Sequence, residues 1–189
     1  MKEWTDPQLG RFVFNEYQWQ QKCLLDAFSV FSYAELKKPA DELGQSITVA
    51  FLANDENDIP TTQAIKVGVD TIENHQALLA EGVAGLFDDF HGKGRNTGMW
   101  WRSDINHIKE IVASRAATQE LLPINTPSDV HRLLSSPSIF IDGSGYNYDE
   151  PLSILMFEAI FEPEHGIGFL TDGAKILGLG YQVGVRPYK

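Results

Sequence analysis

Hydrophobic and polar positions alternate near both ends of the chain, as they do along strands with one buried face. Seven segments with this two-residue period predict strands, and they are 10–14, 18–24, 46–52, 138–141, 152–161, 168–171 and 174–185. Segment 152–161 is apolar on both faces, which predicts a central strand covered on both sides. The short break at 15–17 is typical of a hairpin, and residues 26–45 have no period, which predicts a loop that allows one helical turn.

From Pro60 the hydrophobic period changes from two to about 3.6 residues. This change predicts one long helix over 60–91, whose apolar stripe is Ile65, Val69, Ile72, Leu79, Val83, Leu86 and Phe90. Two shorter helices are predicted to begin at Ser103 and at Thr126, each residue being a good N-cap. The order of strands, helices and strands predicts an α+β fold, with an antiparallel sheet from the N- and C-terminal strands and a central helical segment packed on one face.

The composition is that of one ordinary globular domain spanning residues 1–189, with 43% hydrophobic and 22% charged residues. The single Cys23 cannot form an internal disulfide, and its place in a predicted strand favours a small buried hydrophobe over a reactive thiolate. The sequence shows no signal peptide and no apolar run of membrane-spanning length. We therefore expect a cytoplasmic protein that does not bind membranes.

The net charge of −11 argues against nucleic acid as the main partner, because phosphate recognition needs clustered cations. Residues 41–90 contain ten acidic residues and only one basic residue, Lys66, which gives this stretch a net charge of −9. The acids of the predicted helix avoid its apolar stripe and are therefore expected to face solvent. Such a surface would attract a basic protein, although solubility alone would also explain it.

The loop after the long helix, from His91 to Arg102, combines three cations, three glycines and two adjacent tryptophans. It matches no phosphate-binding motif. One interpretation is a connecting loop whose tryptophans pack onto the core, and the other is a binding loop for a partner or ligand. With the acidic stretch it supplies the candidate partner-binding residues, which are Asp55, Glu56, Asp58, Asp88, Asp89, Trp100 and Trp101.

A second candidate site lies near the C-terminus, where residues 162–166 read Glu-Pro-Glu-His-Gly. Pro and Gly favour a structural turn between two strands. The alternative is a catalytic group of Glu158, Glu164 and His165 beside a pocket against the glycine-lined face of the last strand. No spacing typical of a metal site occurs, and residues 142–150 fail the calcium-loop pattern, so we expect neither a metal nor a cofactor.

The segment Phe157 to Leu170, which reads FEAIFEPEHGIGFL, and the strand after it resemble a group of uncharacterised bacterial domains. Their ending reads roughly W-D-x-E-H-G-x-G-V, and Phe161 and Glu162 stand here where that group has Trp and Asp. The opening Asp6 to Phe12, with Trp19 after it, is similar to that group's first strands. The resemblance implies an immunity-type or accessory protein found near toxin genes, and it implies no catalytic residues.

Two functional hypotheses follow from the sequence. The preferred one is a non-enzymatic bacterial interaction protein of the immunity type, which neutralises a basic toxin or effector through its acidic surface. The alternative is a small-molecule-binding protein or hydrolase with a pocket near Glu158, Glu164 and His165. Their arrangement in space distinguishes the two, because an enzyme would bring these three residues into one cleft.

Overall fold

The computed structural model describes residues 2–31, 46–96, 98–115, 121–143, 145 and 147–188. Its centre is one eight-stranded sheet in which the strands lie side by side in chain order. The strands are β1 (Glu3–Asp6), β2 (Gly10–Asn15), β3 (Gln18–Leu24), β4 (Ser46–Leu52), β5 (Leu134–Asp142), β6 (Leu152–Ala159), β7 (Glu162–Thr171) and β8 (Ile176–Gly180).

Neighbouring strands pair antiparallel, except for β4 and β5, which are parallel over Thr48–Phe51 and Ser138–Ile141. Parallel neighbours need a long crossover connection, and the helices lie in it. The helices are α1 (Thr62–Glu73), α2 (His75–Phe90), α3 (Ile105–Arg115) and α4 (Pro127–Val130), with 3-10 helices at Asp26–Val30 and His131–Leu133. Thr126 is the N-cap of α4 as predicted, and Asp129 completes a capping box with it.

The helical segment covers one face of the sheet and encloses the main core with it. Large side chains at the centre of this core are fully buried, among them Trp19, Phe51, Phe157 and Phe169 from the strands and Leu86 and Phe90 from α2. Gly82 of α2 lies so close to the ring of Phe169 that a methyl group there would overlap it. The predicted α+β class, with helices packed on one face, is confirmed.

The opposite face differs between its two halves. Across β3 and β4 it is polar, and Lys22 Nζ donates to Thr48 Oγ1 at 2.8 Å. Across β6 to β8 it is apolar and is covered by the C-terminal segment, which Tyr148 anchors by donating its hydroxyl to the Val185 carbonyl at 2.8 Å. The prediction that the segment from residue 152 is a central strand, covered on both faces, is therefore confirmed.

The single helix predicted over 60–91 is wrong, because the chain forms two helices that meet at Asn74. Asn74 has φ −96° and ψ 7°, and its side-chain amide donates to the Gly173 carbonyl at 2.9 Å. The break rotates the buried face, so that α1 buries Ala64, Val67 and Thr71. Of the predicted stripe, Ile65 and Ile72 are only half-buried, whereas Val69, Leu79, Val83, Leu86 and Phe90 are buried.

Several strand boundaries also differ from the predictions. Residues 162–166 form the start of β7 and not a turn, because the connection between β6 and β7 is Ile160-Phe161. The last strand ends at Gly180 and not at residue 185, and β1 was not predicted. Of the loop predicted over 26–45, Asp26–Val30 is a 3-10 helix and residues 32–45 lie outside the described residues.

Replacing Leu79 tests how much the packing of α2 on the sheet contributes to stability. Its side chain is only 3% exposed, so the Leu79→Ala variant should lower the free energy of unfolding by about 2–5 kcal/mol through lost burial and a residual cavity. Chemical denaturation with the exposed Gln76→Ala as control measures this difference. A loss below about 0.5 kcal/mol would mean that α2 contributes little to the core.

Candidate functional site

Loops from three parts of the chain meet at one end of the sheet, where β4 and β5 end. The β2–β3 turn lies there because Gln18 pairs with Leu52, the last residue of β4. The backbone N–H of Ala53 donates to the Tyr17 carbonyl at 2.9 Å, which joins this turn to the loop after β4. The β5–β6 loop lies at the same end, because β5 runs parallel to β4.

Exposed carboxylates of all three loops gather at this end. We call this surface the acidic end, and it consists of Glu16, Asp55, Glu56, Asp149 and Glu150, all exposed. Only Asp55 and Glu56 belong to the acidic stretch 41–90, of which Asp41 and Glu42 lie outside the described residues. The other three carboxylates were missed, because a charge count along the sequence does not show which loops share an end of a sheet.

The loop after β4 is held in place by its own polar groups. Asp58 Oδ2 accepts from the backbone and side-chain nitrogens of Asn54, each at 2.9 Å, and the Asp58 carbonyl accepts from Trp19 Nε1 at 2.8 Å. Asp55 Oδ1 accepts from the Asn57 N–H at 2.6 Å. Asp58 is half-buried, so its carboxylate fixes the loop, whereas Asp55 and Glu56 remain exposed.

Two apolar side chains lie exposed beside these carboxylates. Tyr17, at the tip of the β2–β3 turn, is 70% exposed, and Ile59 is 42% exposed. Ile59 borders a shallow surface depression, whose other lining residues are Phe51, Leu52, Asp58, Pro60, Thr61 and Gly143. Sequence reasoning did not single out Tyr17 or Ile59, although a turn formed by Glu-Tyr, without Gly or Asn, was a signal that could have found Tyr17.

The remaining predicted partner-binding residues lie at the other end of the sheet. Phe90, at the end of α2, contacts Phe161 of the β6–β7 connection with ring centroids 5.1 Å apart. Asn96, in the following loop, donates its side-chain amide to the Leu179 carbonyl of β8 at 2.8 Å. Asp88 is exposed there. The candidate residues therefore do not form one surface, because the length of β4 separates the two groups.

Asp89 is fully buried, so the expectation that it faces solvent is wrong. The loop after α2 folds back around it, and Asp89 Oδ1 accepts from the Asn96 N–H at 3.2 Å. The Asp89 carbonyl accepts from the N–H groups of Gly92 and Ser103 at 3.0 and 2.9 Å. A methyl group on Gly94 would overlap the carboxylate. The glycines of this loop thus let it close over a carboxylate of the chain itself.

The burial of Asp89 raises the pKa of its carboxyl to about 6, and the nearby Asp88 charge adds to this rise. The hydrogen bond from Asn96, the indole of Trp101 and the charge of Arg102 oppose it by favouring the carboxylate. Among the described residues, Asp89 Oδ2, Trp101 Nε1 and Arg102 Nε are buried without a hydrogen-bond partner. The carboxylate is therefore only partly compensated when it ionises.

The two tryptophans of the loop serve the fold. Trp101 is fully buried, which confirms the interpretation that it packs onto the core and excludes it from a surface. Trp100 is half-buried and donates its Nε1–H to Glu162 Oε2 at 2.6 Å. The other oxygen of Glu162 lies 3.0 Å from His165 Nδ1, so this buried carboxylate orients a half-exposed imidazole.

In the part of the chain that the structure describes, Glu158, Glu164 and His165 share no hydrogen bond or ion pair with one another. Glu158 lies across from Ser135 of β5, whose hydroxyl donates to it at 3.4 Å, whereas His165 contacts Glu162 and the ring of Tyr181. The glycine-lined face of β8 holds no open pocket, because the backbone of Arg186 and Pro187 packs against Gly178. Within the described ranges, no group of three or more His, Cys, Asp or Glu residues could hold a metal ion.

Comparisons with known protein families, with curated proteins and with solved structures give no match. In the part of the chain that the structure describes, no helix is both long enough and apolar enough to cross a bilayer.

Burial raises the pKa of the half-buried Cys23 thiol, which favours its uncharged form.

The raised pKa of Asp89 predicts a pH-dependent stability. Because the folded state binds this proton more tightly than the unfolded chain, the free energy of unfolding should fall as the pH rises from about 4 to about 6. The free energy of unfolding of the wild type, relative to that of Asp89→Asn, should therefore decrease over that interval. Denaturation at several pH values measures it, with Glu73→Gln as the exposed control, because Glu73 does not contribute to the pKa shift of Asp89. Parallel curves for wild type and Asp89→Asn would contradict the assignment.

Proposed function

We propose that this chain is a non-enzymatic bacterial interaction protein of the immunity type, which neutralises a basic toxin or effector through the acidic end. The observation that carries the proposal is the gathering of five exposed carboxylates from three loops at one end of the sheet. Exposed like charges repel one another, and a basic partner surface would remove that repulsion.

Two cations lie beside the five carboxylates of the acidic end. Lys2 donates to Asn57 at 2.5 Å and lies 4.0 Å from Glu56, and Arg186 donates to the Asn147 carbonyl at 2.8 Å. An exposed ion pair such as Lys2–Glu56 contributes little stability, so a cationic partner can displace Lys2 at low cost. The anchored loop after β4 holds its carboxylates in place before binding, which reduces the entropy lost on association.

Two further observations agree with this proposal. The C-terminal segment resembles domains found near toxin genes, and no hydrogen bond or ion pair joins the predicted catalytic residues to one another in the described structure. A role of this kind, with the single Cys23, fits the cytoplasm as the working compartment. We propose that the partner is encoded by a neighbouring gene, as the resemblance implies.

The test is to purify the basic proteins encoded by the flanking genes and to measure their binding by biolayer interferometry. We expect one of them to bind, with an association rate constant that falls by about tenfold or more between 50 and 300 mM salt. The double variant Asp55→Asn/Glu56→Gln should slow association several-fold, because steering depends on these charges.

Asp88→Asn is the matched control, because it removes one exposed charge at the opposite end of the sheet. Its association rate should stay within about twofold of the wild type. If no basic flanking-gene product binds at low salt, or if both charge variants slow association equally, the proposed function is wrong.

A further inference from the structure

Resting on the proposed function, we infer that Tyr17 and Ile59 form the apolar centre of the partner-binding surface. They would receive a basic protein that inserts an apolar side chain into the depression beside Ile59 and places Lys or Arg over the surrounding carboxylates. The apolar centre sets the strength of binding through the dissociation rate constant. The acidic residues set the association rate constant.

The residues of the β2–β3 turn are unfavourable for the stability of its conformation. It has two residues, Glu16 and Tyr17, between the paired Asn15 and Gln18. Glu16 has φ 57°, in the left-handed region that costs a side chain with a Cβ free energy. Gly, Asn or Asp normally occupies such a position in a two-residue hairpin. Glu at this site therefore carries a conformational cost that Gly would not.

Tyr17 adds a second unfavourable feature at the same turn. A tyrosine that is 70% exposed at a loop tip gains little from burial, although its ring could cover a large apolar area. Strained and exposed positions of this kind concentrate at functional sites, where stability is exchanged for recognition. Tyrosine is also among the residues most enriched at the centres of protein interfaces.

Ile59 supplies a second apolar contact on the neighbouring loop. It is 42% exposed and borders the shallow depression, whose lining residues include Phe51 and Leu52. Its position is fixed by the adjacent Asp58 carbonyl, which accepts from Trp19 Nε1, and by its own N–H, which donates to the Asn57 carbonyl at 3.0 Å. The backbone that carries Ile59 is therefore held in place before a partner binds.

The surroundings decide which kind of partner fits. Glu16 is next to Tyr17 in the chain, and Asp55 and Glu56 precede Ile59 in the loop joined to that turn. An apolar centre flanked by these carboxylates complements a partner whose apolar residue is flanked by cations. It disfavours an acidic partner or a second copy of this chain, because like charges would then face each other.

The experiment measures binding of the basic flanking-gene product to surface variants by biolayer interferometry. Tyr17→Ser should raise the dissociation rate constant by about tenfold or more and Ile59→Ser by several-fold, with association little changed. Val183→Ser is the matched control, because Val183 is 84% exposed and lies outside the acidic end. Its dissociation rate should stay within about twofold of the wild type.

A second measurement separates recognition from folding. The double variant Glu16→Gly/Tyr17→Ser places residues that suit a two-residue hairpin at the turn, so its thermal midpoint should rise by about 2–4 °C while binding weakens. Weak binding with a lowered midpoint would mean that the turn serves the fold, and would overturn the inference.

The outcomes also distinguish this inference from the proposed function. If Tyr17→Ser and Val183→Ser dissociate at the same rate while association still depends on Asp55 and Glu56, the apolar centre is wrong and the acidic end stands. If no basic product binds the wild type, both proposals are wrong. Self-association of the wild type that Tyr17→Ser abolishes would overturn the choice of partner.

Discussion

The parallel pairing of β4 with β5 is the constraint on which the rest of the structure depends. All other neighbouring strands are antiparallel, but these two cannot be joined by a tight turn. The chain must return from one end of the sheet to the other, and its helices cover one face on the way. The loop after β4 therefore lies at one end of the sheet and the loop around Asp89 at the other. One charged stretch of sequence thus contributes to two separate surfaces.

The fold class and most strands could be predicted from the sequence, because alternation depends only on which face of the sheet each residue occupies. The helix break at Asn74 could not. The apolar spacing continues across it, and the amide that stabilises the break bonds to Gly173, 99 residues later. The burial of Asp89 is likewise non-local in origin. The loop that encloses it is held by Asn96 through the carbonyl of Leu179, which belongs to β8.

Some features of the candidate site were predicted correctly, but the groups that they contact were not. The glycines of β8 do allow a close approach, but the approaching backbone is that of Arg186 and Pro187. Glu158 and His165 are close in sequence, yet an irregularity in the β6–β7 register lies between them, and each meets a different partner. Nearness in sequence does not imply a shared cleft here, since the two residues lie on different strands and bond to different partners.

The two ends of the sheet differ in the environment of their carboxylates, which is buried at one end and exposed at the other. Around Asp89 the chain supplies backbone donors, an indole and a guanidinium, and the charge is removed from solvent at an energetic cost. Among the residues that the structure describes, the only ion pair formed by the five carboxylates of the acidic end is the exposed Lys2–Glu56 contact. A carboxylate enclosed by its own chain can stabilise a loop but cannot recognise anything. The unenclosed carboxylates, like Tyr17 and Ile59, remain exposed at the surface, where the proposed partner would meet them.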